Sequence, residues 1–170
     1  MIDVLARWNS LDSDEAAEEI LPCFGSKAWA LGMVARRPIL HEAALLAACD
    51  QTCDGLTNSD WLEAFQSHPR IGESPSPVSS TARSAAWSEE EQRQVGRANG
   101  DVKAALAEGN RAYEARFKRI FIVCASRKSA PEILQILRQR LRNDDTTELH
   151  ETAGQQRQIA HLRLKKWLSS

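Results

Sequence analysis

The chain has 170 residues, with 22 basic against 23 acidic side chains and a formal net charge of −1. That length suits one domain able to bury a substantial core. Balanced charge argues against a general nucleic-acid binder, which carries a basic surplus, and no run approaches the ~18 consecutive apolar residues of a membrane span.

Met1-Ile2-Asp3-Val4 lacks the basic and apolar regions of a secretory leader. Cys23, Cys49, Cys53 and Cys124 form no CxxC pair, and no histidine cluster adjoins them. They read as small buried residues in a reduced, cytoplasmic protein rather than as a zinc site, so no metal is expected.

Ala, Leu, Glu, Gln and Arg dominate, and β-branched alternation is scarce, so the expected fold is all-α: a single compact domain, residues 1–170, of about eight helices. Ile2 to Trp8 reads as a short helix. Asp12-x-x-Glu15 is a capping-box pattern opening a second, and Ser26 begins a third that Pro38 stops. Leu40 to Cys53 predicts a buried helix ended by Asp54-Gly55, with His41 on its surface. The helix from Asn58 or Ser59 carries Trp61 and Phe65 inward and ends near Ser67, because the residue before a proline disfavours the α region. Glu73 to Ser80, with two prolines and four serines, reads as a pocket lid. A brief helix around Thr81 to Trp87 follows, then one beginning at Ser88, and then one from Asp101 through Phe117. Ile120 to Ala125 has no partner strand in the sequence and reads as a buried connector. Ser129-x-x-Glu132 opens a helix with Pro131 in its first turn, and Asp145 opens the last, running to Leu168.

Two short stretches carry chemistry. Ser67-His68-Pro69-Arg70-Ile71-Gly72 offers an imidazole on a loop, where functional residues concentrate. Ser88-Glu89-Glu90-Glu91-Gln92 offers a hydroxyl and a carboxylate three positions apart. An imidazole and a carboxylate in one pocket can move protons near neutral pH. A lone histidine is more often structural, and Ser88-x-x-Glu91 is also a capping box. His150 and His161 read as helix-surface residues. Arg163 stands beside apolar residues, where a buried guanidinium needs a partner that an anionic ligand could supply.

Taken together, these stretches resemble the 2-oxo-4-hydroxy-4-carboxy-5-ureidoimidazoline (OHCU) decarboxylase family. Ser67 to Glu73 resembles its His-Pro loop, and Ser88-x-x-Glu91-Gln92 its Ser-x-x-Glu-Gln motif. Asn110-x-x-Tyr113-x-x-Arg116-Phe117 with Phe121-Ile122-Val123 resembles a third motif. Glu132 to Leu141, Thr147-Glu148 and Ile159 to Leu164 resemble its last two helices. The resemblance implies an all-α homodimer without metal or organic cofactor, and without a nucleic-acid or membrane partner. Its reaction turns a small anionic heterocycle into (S)-allantoin and CO2 in urate degradation. By the same resemblance His68 is the catalytic acid/base and Glu91 orients it and the substrate. Ser88 and Gln92 bind ring and ureido groups, and Arg163 binds anionic or carbonyl oxygens. Pro69 and the segment Phe121, Ile122, Val123, Cys124 and Ala125 line the pocket.

One departure stands out: Lys118 follows Arg116-Phe117 where the family has glycine. If that position holds a left-handed turn, lysine there costs on the order of 1 kcal/mol. The rival readings are a catalytically silent α-helical interaction module, and a hydrolase using His68 with Glu91 to activate water.

Overall fold

In the computed structural model, residues 3–73 and 81–170 are described. The expected lid lies outside them beyond Glu73, as does Ile2 at the expected start of the first helix. The described residues contain ten α-helices, a 3-10 turn at Leu21–Cys23 and no strand. The all-α class is as expected. The count exceeds eight; α1 (Val4–Ser10) is the expected short first helix, and α7 (Arg93–Gly96) is a separate four-residue piece.

Side-chain caps set the helix starts, since the first backbone N–H groups of a helix have no partner within it. Asp3 caps α1 by accepting from Leu5 N and Ala6 N, and Asp12 caps α2 (Ser13–Ile20) through Glu15 N. Ser26 caps α3 (Lys27–Val34) through Trp29 N. His41 is not merely a surface residue: its Nδ1 accepts from Ala44 N and caps α4 (Glu42–Asp54). α5 follows at Asn58–Gln66. Thr81 and Ser84 form a reciprocal capping box for α6 (Ala82–Glu91). This corrects the expected helix start at Ser88, which lies inside α6. α8 (Gly100–Phe117) is capped by Asn99, α9 (Ala130–Arg140) by the expected Ser129–Glu132 box, and α10 spans Asp145–Leu168.

The chain divides into two compact units, one of Met1–Ala64 with Arg157–Ser170 and the other of Phe65–Gln156. In the first, Trp8 meets Trp167 edge-on at 5.7 Å and Phe24 stacks on Trp29 at 4.9 Å. Buried indoles retain a polar N–H that needs an acceptor. Trp8 donates to the Ala16 carbonyl at 2.9 Å and Trp167 to the Glu19 carboxylate at 3.0 Å.

In the second unit an apolar cluster including Leu106, Tyr113, Phe117, Phe121, Ile133 and Leu137 surrounds a buried ion pair. Glu148 is fully buried. It accepts from Arg140 Nε at 2.7 Å, from the Tyr113 hydroxyl at 2.6 Å and from Asn143 Nδ2 at 2.9 Å. Arg140 also donates to the Ile122 carbonyl and, at 2.9 Å, to the Thr152 hydroxyl. Burial first, and the bond to Glu148 second, push the Tyr113 phenol up to about 12.

The segment from Phe121 to Ala125 is extended, buried and free of ladder pairing. A left-handed residue enters it: Lys118, at φ 58°, ends α8 where glycine would sit without strain. Arg127, at φ 62°, follows it.

These features generate three expectations. Glu148→Gln leaves Arg140 buried without its counter-charge and should cost roughly 3–5 kcal/mol in denaturant unfolding. Tyr113 is the only tyrosine, so its tyrosinate absorbance can be followed alone. That band should appear near pH 12 rather than 10. The unfolded phenol ionises first, so the stabilisation from this proton is complete below about pH 10 and is lost as pH rises toward 12. Finally, Lys118→Gly should raise stability by about 1 kcal/mol, or about 2–4 °C in Tm. Lys118→Ala, which keeps the backbone strain and removes the charge, should not.

Candidate functional site

The loop after α5 is fixed at successive residues. His68 N–H donates to the Phe65 carbonyl at 3.2 Å, and Pro69 prevents the helix from continuing. Arg70 is exposed and pairs with Glu114 at 2.9 Å and Glu73 at 3.7 Å, so its charge is already met. Ile71 is buried, and its carbonyl accepts from Asn110 Nδ2 at 3.0 Å. Gly72 takes φ +87°, a conformation that L side chains resist, and its N–H donates to Gln92 Oε1 at 2.9 Å.

The half-buried His68 ring is held from the other side of this unit. Its Nε2 lies 2.6 Å from Oε1 of Gln156, a fully buried residue of α10. An amide oxygen only accepts. With the amide oxygen as acceptor, Nε2 is the donor in this contact, and the ring orientation is fixed.

Ser88 and Glu91 occupy the last turn of α6, and Gln92 is its C-cap. The spacings of three and four put these side chains along one face. Ser88 is buried, whereas Glu91 and Gln92 are half-buried. A cleft of about 190 Å³ is lined by Pro69, Gly72, Ser88, Gln92, Arg93 and Val95 among others. Thus the end of α6, α7 and the His-Pro loop border an open hollow of mixed lining, in which Arg93 stands with the carboxylates of Glu73 and Glu89. His68 and Glu91 are not among the residues that line it.

The other expected site residues have different surroundings. Phe121, Val123 and Ala125 belong to the apolar cluster of their unit, because alternate residues of an extended chain face the same way. Ile122 and Cys124 are buried outside that cluster. Their backbone groups are engaged by the protein. The Cys124 N–H donates to Gln155 Oε1 at 2.9 Å, the Cys124 carbonyl accepts from Lys128 Nζ at 2.7 Å, and the Ile122 carbonyl accepts from Arg140. Arg163 belongs to the first unit, where it is 1% exposed and donates to the Pro22 carbonyl at 3.2 Å.

Asn110 entered the sequence reading only within a motif, and Gln156 and Gln155 are contributors that it did not single out. Their only signal was position. Glu148, Thr152 and Gln156 recur every four residues, one face of a helix, and all are buried.

Gly72 offers a direct test of the loop geometry. An added Cβ would meet only Val95 Cγ1, at 3.8 Å, so the obstacle is φ rather than space. Gly72→Ala should cost about 1–2 kcal/mol, read from the denaturant midpoint. Gly96→Ala, with nothing within 4 Å of its Cβ, should be neutral or slightly stabilising.

Comparison with known proteins gives concordant results. The model of the OHCU decarboxylase family matches residues 9–165. The chain is 33% identical over 147 residues to the uric acid degradation bifunctional protein TTL of Arabidopsis thaliana, covering 86% of this chain and 45% of that protein. It therefore spans less than half the length of that curated relative. A crystal structure of OHCU decarboxylase in the presence of (S)-allantoin matches with a TM-score of 0.76 and 30% identity, covering 90% of this chain and 99% of the other. A crystal structure of (S)-allantoin synthase matches with a TM-score of 0.72 over 96% of this chain and 53% of the other; at 18% identity this is a likeness of fold alone.

Proposed function

We propose that this chain, a member of the OHCU decarboxylase family, is a carboxy-lyase of urate degradation with His68 as its catalytic acid/base. The observation that carries this reading is the 2.6 Å contact between His68 Nε2 and Gln156 Oε1. It holds the ring in one orientation, on a loop whose neighbours Pro69 and Gly72 line the cleft. A base works only when its lone pair is aimed, and a buried amide is a rigid aiming device.

The substrate carries a carboxylate and a hydroxyl on one carbon, which adjoins a ring C=N. As the C–C bond to the carboxylate breaks, CO2 leaves, a C=C forms between the two ring carbons, and the former imine nitrogen takes the displaced pair and a proton from solvent. The substrate is thus its own electron sink. His68 takes the hydroxyl proton and returns a proton to one face of the ring, giving (S)-allantoin. Glu91 orients His68 and the substrate. Ser88 and Gln92 hold ring and ureido groups beside Pro69, and Arg163 meets anionic or carbonyl oxygens. The segment from Phe121 through Ile122, Val123 and Cys124 to Ala125 forms a wall. The buried Ser88 hydroxyl supports its part in this reading, because a hydroxyl out of water is a stronger recognition element.

The working form we propose is a cytoplasmic homodimer in which residues 1–170 act as one domain. The family match, which runs through both compact units, supports the single domain. No helix among the described residues is long and apolar enough to cross a membrane.

The test uses OHCU freshly generated from urate, with circular dichroism following (S)-allantoin and a parallel assay for CO2. Wild type should accelerate both signals above spontaneous decay. His68→Ala should abolish the acceleration while leaving helicity intact. Gln156→Leu should lower kcat, because the ring loses its fixed orientation. Full activity in His68→Ala would remove His68 from the mechanism, and product formation without CO2 would point to hydrolysis instead.

A further inference from the structure

In the first unit, helices α4 and α10 exchange a ladder of charged contacts. Asp54 meets Arg157 at 2.8 Å, Asp50 meets His161 at 2.8 Å, and Glu42 meets Lys165 at 3.9 Å. The numbers fall on one helix as they rise on the other, so these stretches run antiparallel. At the outer rungs a carboxylate faces a permanent cation, which is an ordinary surface pairing. The middle rung differs, because its cation position is an imidazole backed by a thiol.

Cys49 is fully buried and adjoins His161. Cys49 Sγ, an Asp50 carboxylate oxygen and a His161 ring nitrogen all lie within 4.8 Å of one another. A second, independent feature points to the same place. The Trp29 indole N–H is fully buried without a hydrogen-bond partner, and the side chain adjoins Cys49. Asp50 and His161 are 46% and 31% exposed in their side chains, so the cluster opens to solvent on that side.

We propose that Cys49, Asp50 and His161 form a three-ligand site for a divalent transition metal of the zinc type. Thiolate, imidazole and carboxylate are the donor set of a borderline-soft ion. Around tetrahedral zinc, donors stand about 3.3–3.7 Å apart, given metal–ligand distances of about 2.0–2.3 Å. The cluster reaches that spacing by a small opening of the Asp50–His161 contact and a small closing elsewhere. A solvent molecule completes the shell on the exposed side. Binding replaces the thiol proton of Cys49, which passes to solvent. Arg157, one turn before His161, does not oppose the ion directly, because it is paired with Asp54. Cys53 follows Cys49 by one turn but is not part of the three-donor group. The proposal is independent of the decarboxylase reading, since none of these residues has a role in it.

The test is titration of the full chain with Co2+ and Zn2+. Wild type should bind one equivalent of Co2+ with a thiolate-to-cobalt charge-transfer band, and Zn2+ should bleach it. Cys49→Ala and Asp50→Asn should each weaken binding by at least about tenfold, and Cys49→Ala should remove the band. Cys53→Ala should keep both band and stoichiometry, and decarboxylase activity should be unchanged in Asp50→Asn. Absence of the band in wild type overturns the proposal without recourse to any variant. So does a band that survives Cys49→Ala or vanishes in Cys53→Ala. In those outcomes the cluster is an ion pair lying over a buried thiol.

Discussion

The contact between Arg140 and Glu148 is the constraint on which the rest of its unit depends. Two opposite charges are buried, with 4% and 0% exposure, and such a pair is tolerable only when its remaining hydrogen-bonding capacity is met. Here Tyr113, Thr152, Asn143 and the Ile122 carbonyl meet it. These partners come from α8, the extended segment, α9 and its following turn, and α10. Satisfying one charge pair therefore fixes four pieces of chain against each other. An apolar core of the same volume would allow more sliding, since dispersion has little directional preference.

That fixity reaches the histidine through short links. α10 carries Glu148 and, two turns on, Gln156, whose amide holds His68. α8 carries Tyr113 and, one turn earlier, Asn110, which holds the Ile71 carbonyl. The His-Pro loop is thus suspended from two helices that the buried pair already locks. Its third attachment, Gly72 to Gln92, ties it to the end of α6, where Ser88 also sits. A catalytic group on a loop gains accuracy in this way only if the loop's own backbone is over-determined.

Much of this was legible from residue order. Capping residues, proline stops and apolar periodicity located most helices, and the His-Pro and Ser-x-x-Glu-Gln stretches identified the family. The failures have physical causes. Ser88-x-x-Glu91 satisfies the capping-box pattern, yet Thr81 and Ser84 make the same device at the start of the helix that carries Ser88. A local motif says nothing of which competitor wins. The buried stripe of α10 is polar in its first half, so hydrophobicity cannot reveal Gln156. His161 looked like a surface residue because its neighbours Asp50 and Cys49 lie on α4, far away in sequence. Lys118 was the reverse case, where a single residue out of pattern named its own backbone angle.

The left-handed residues around the extended segment bear on how this protein can change. Lys118 and Arg127 both take positive φ without being glycine. Each holds back stabilisation that one substitution would release, so the fold sits below the stability its topology permits. Natural proteins commonly rest near the threshold their function requires. A lineage that repaired either position would gain tolerance for otherwise damaging changes in the cleft. These two turns, far from the chemistry in role, are therefore where a new substrate preference in this chain would find its evolutionary headroom.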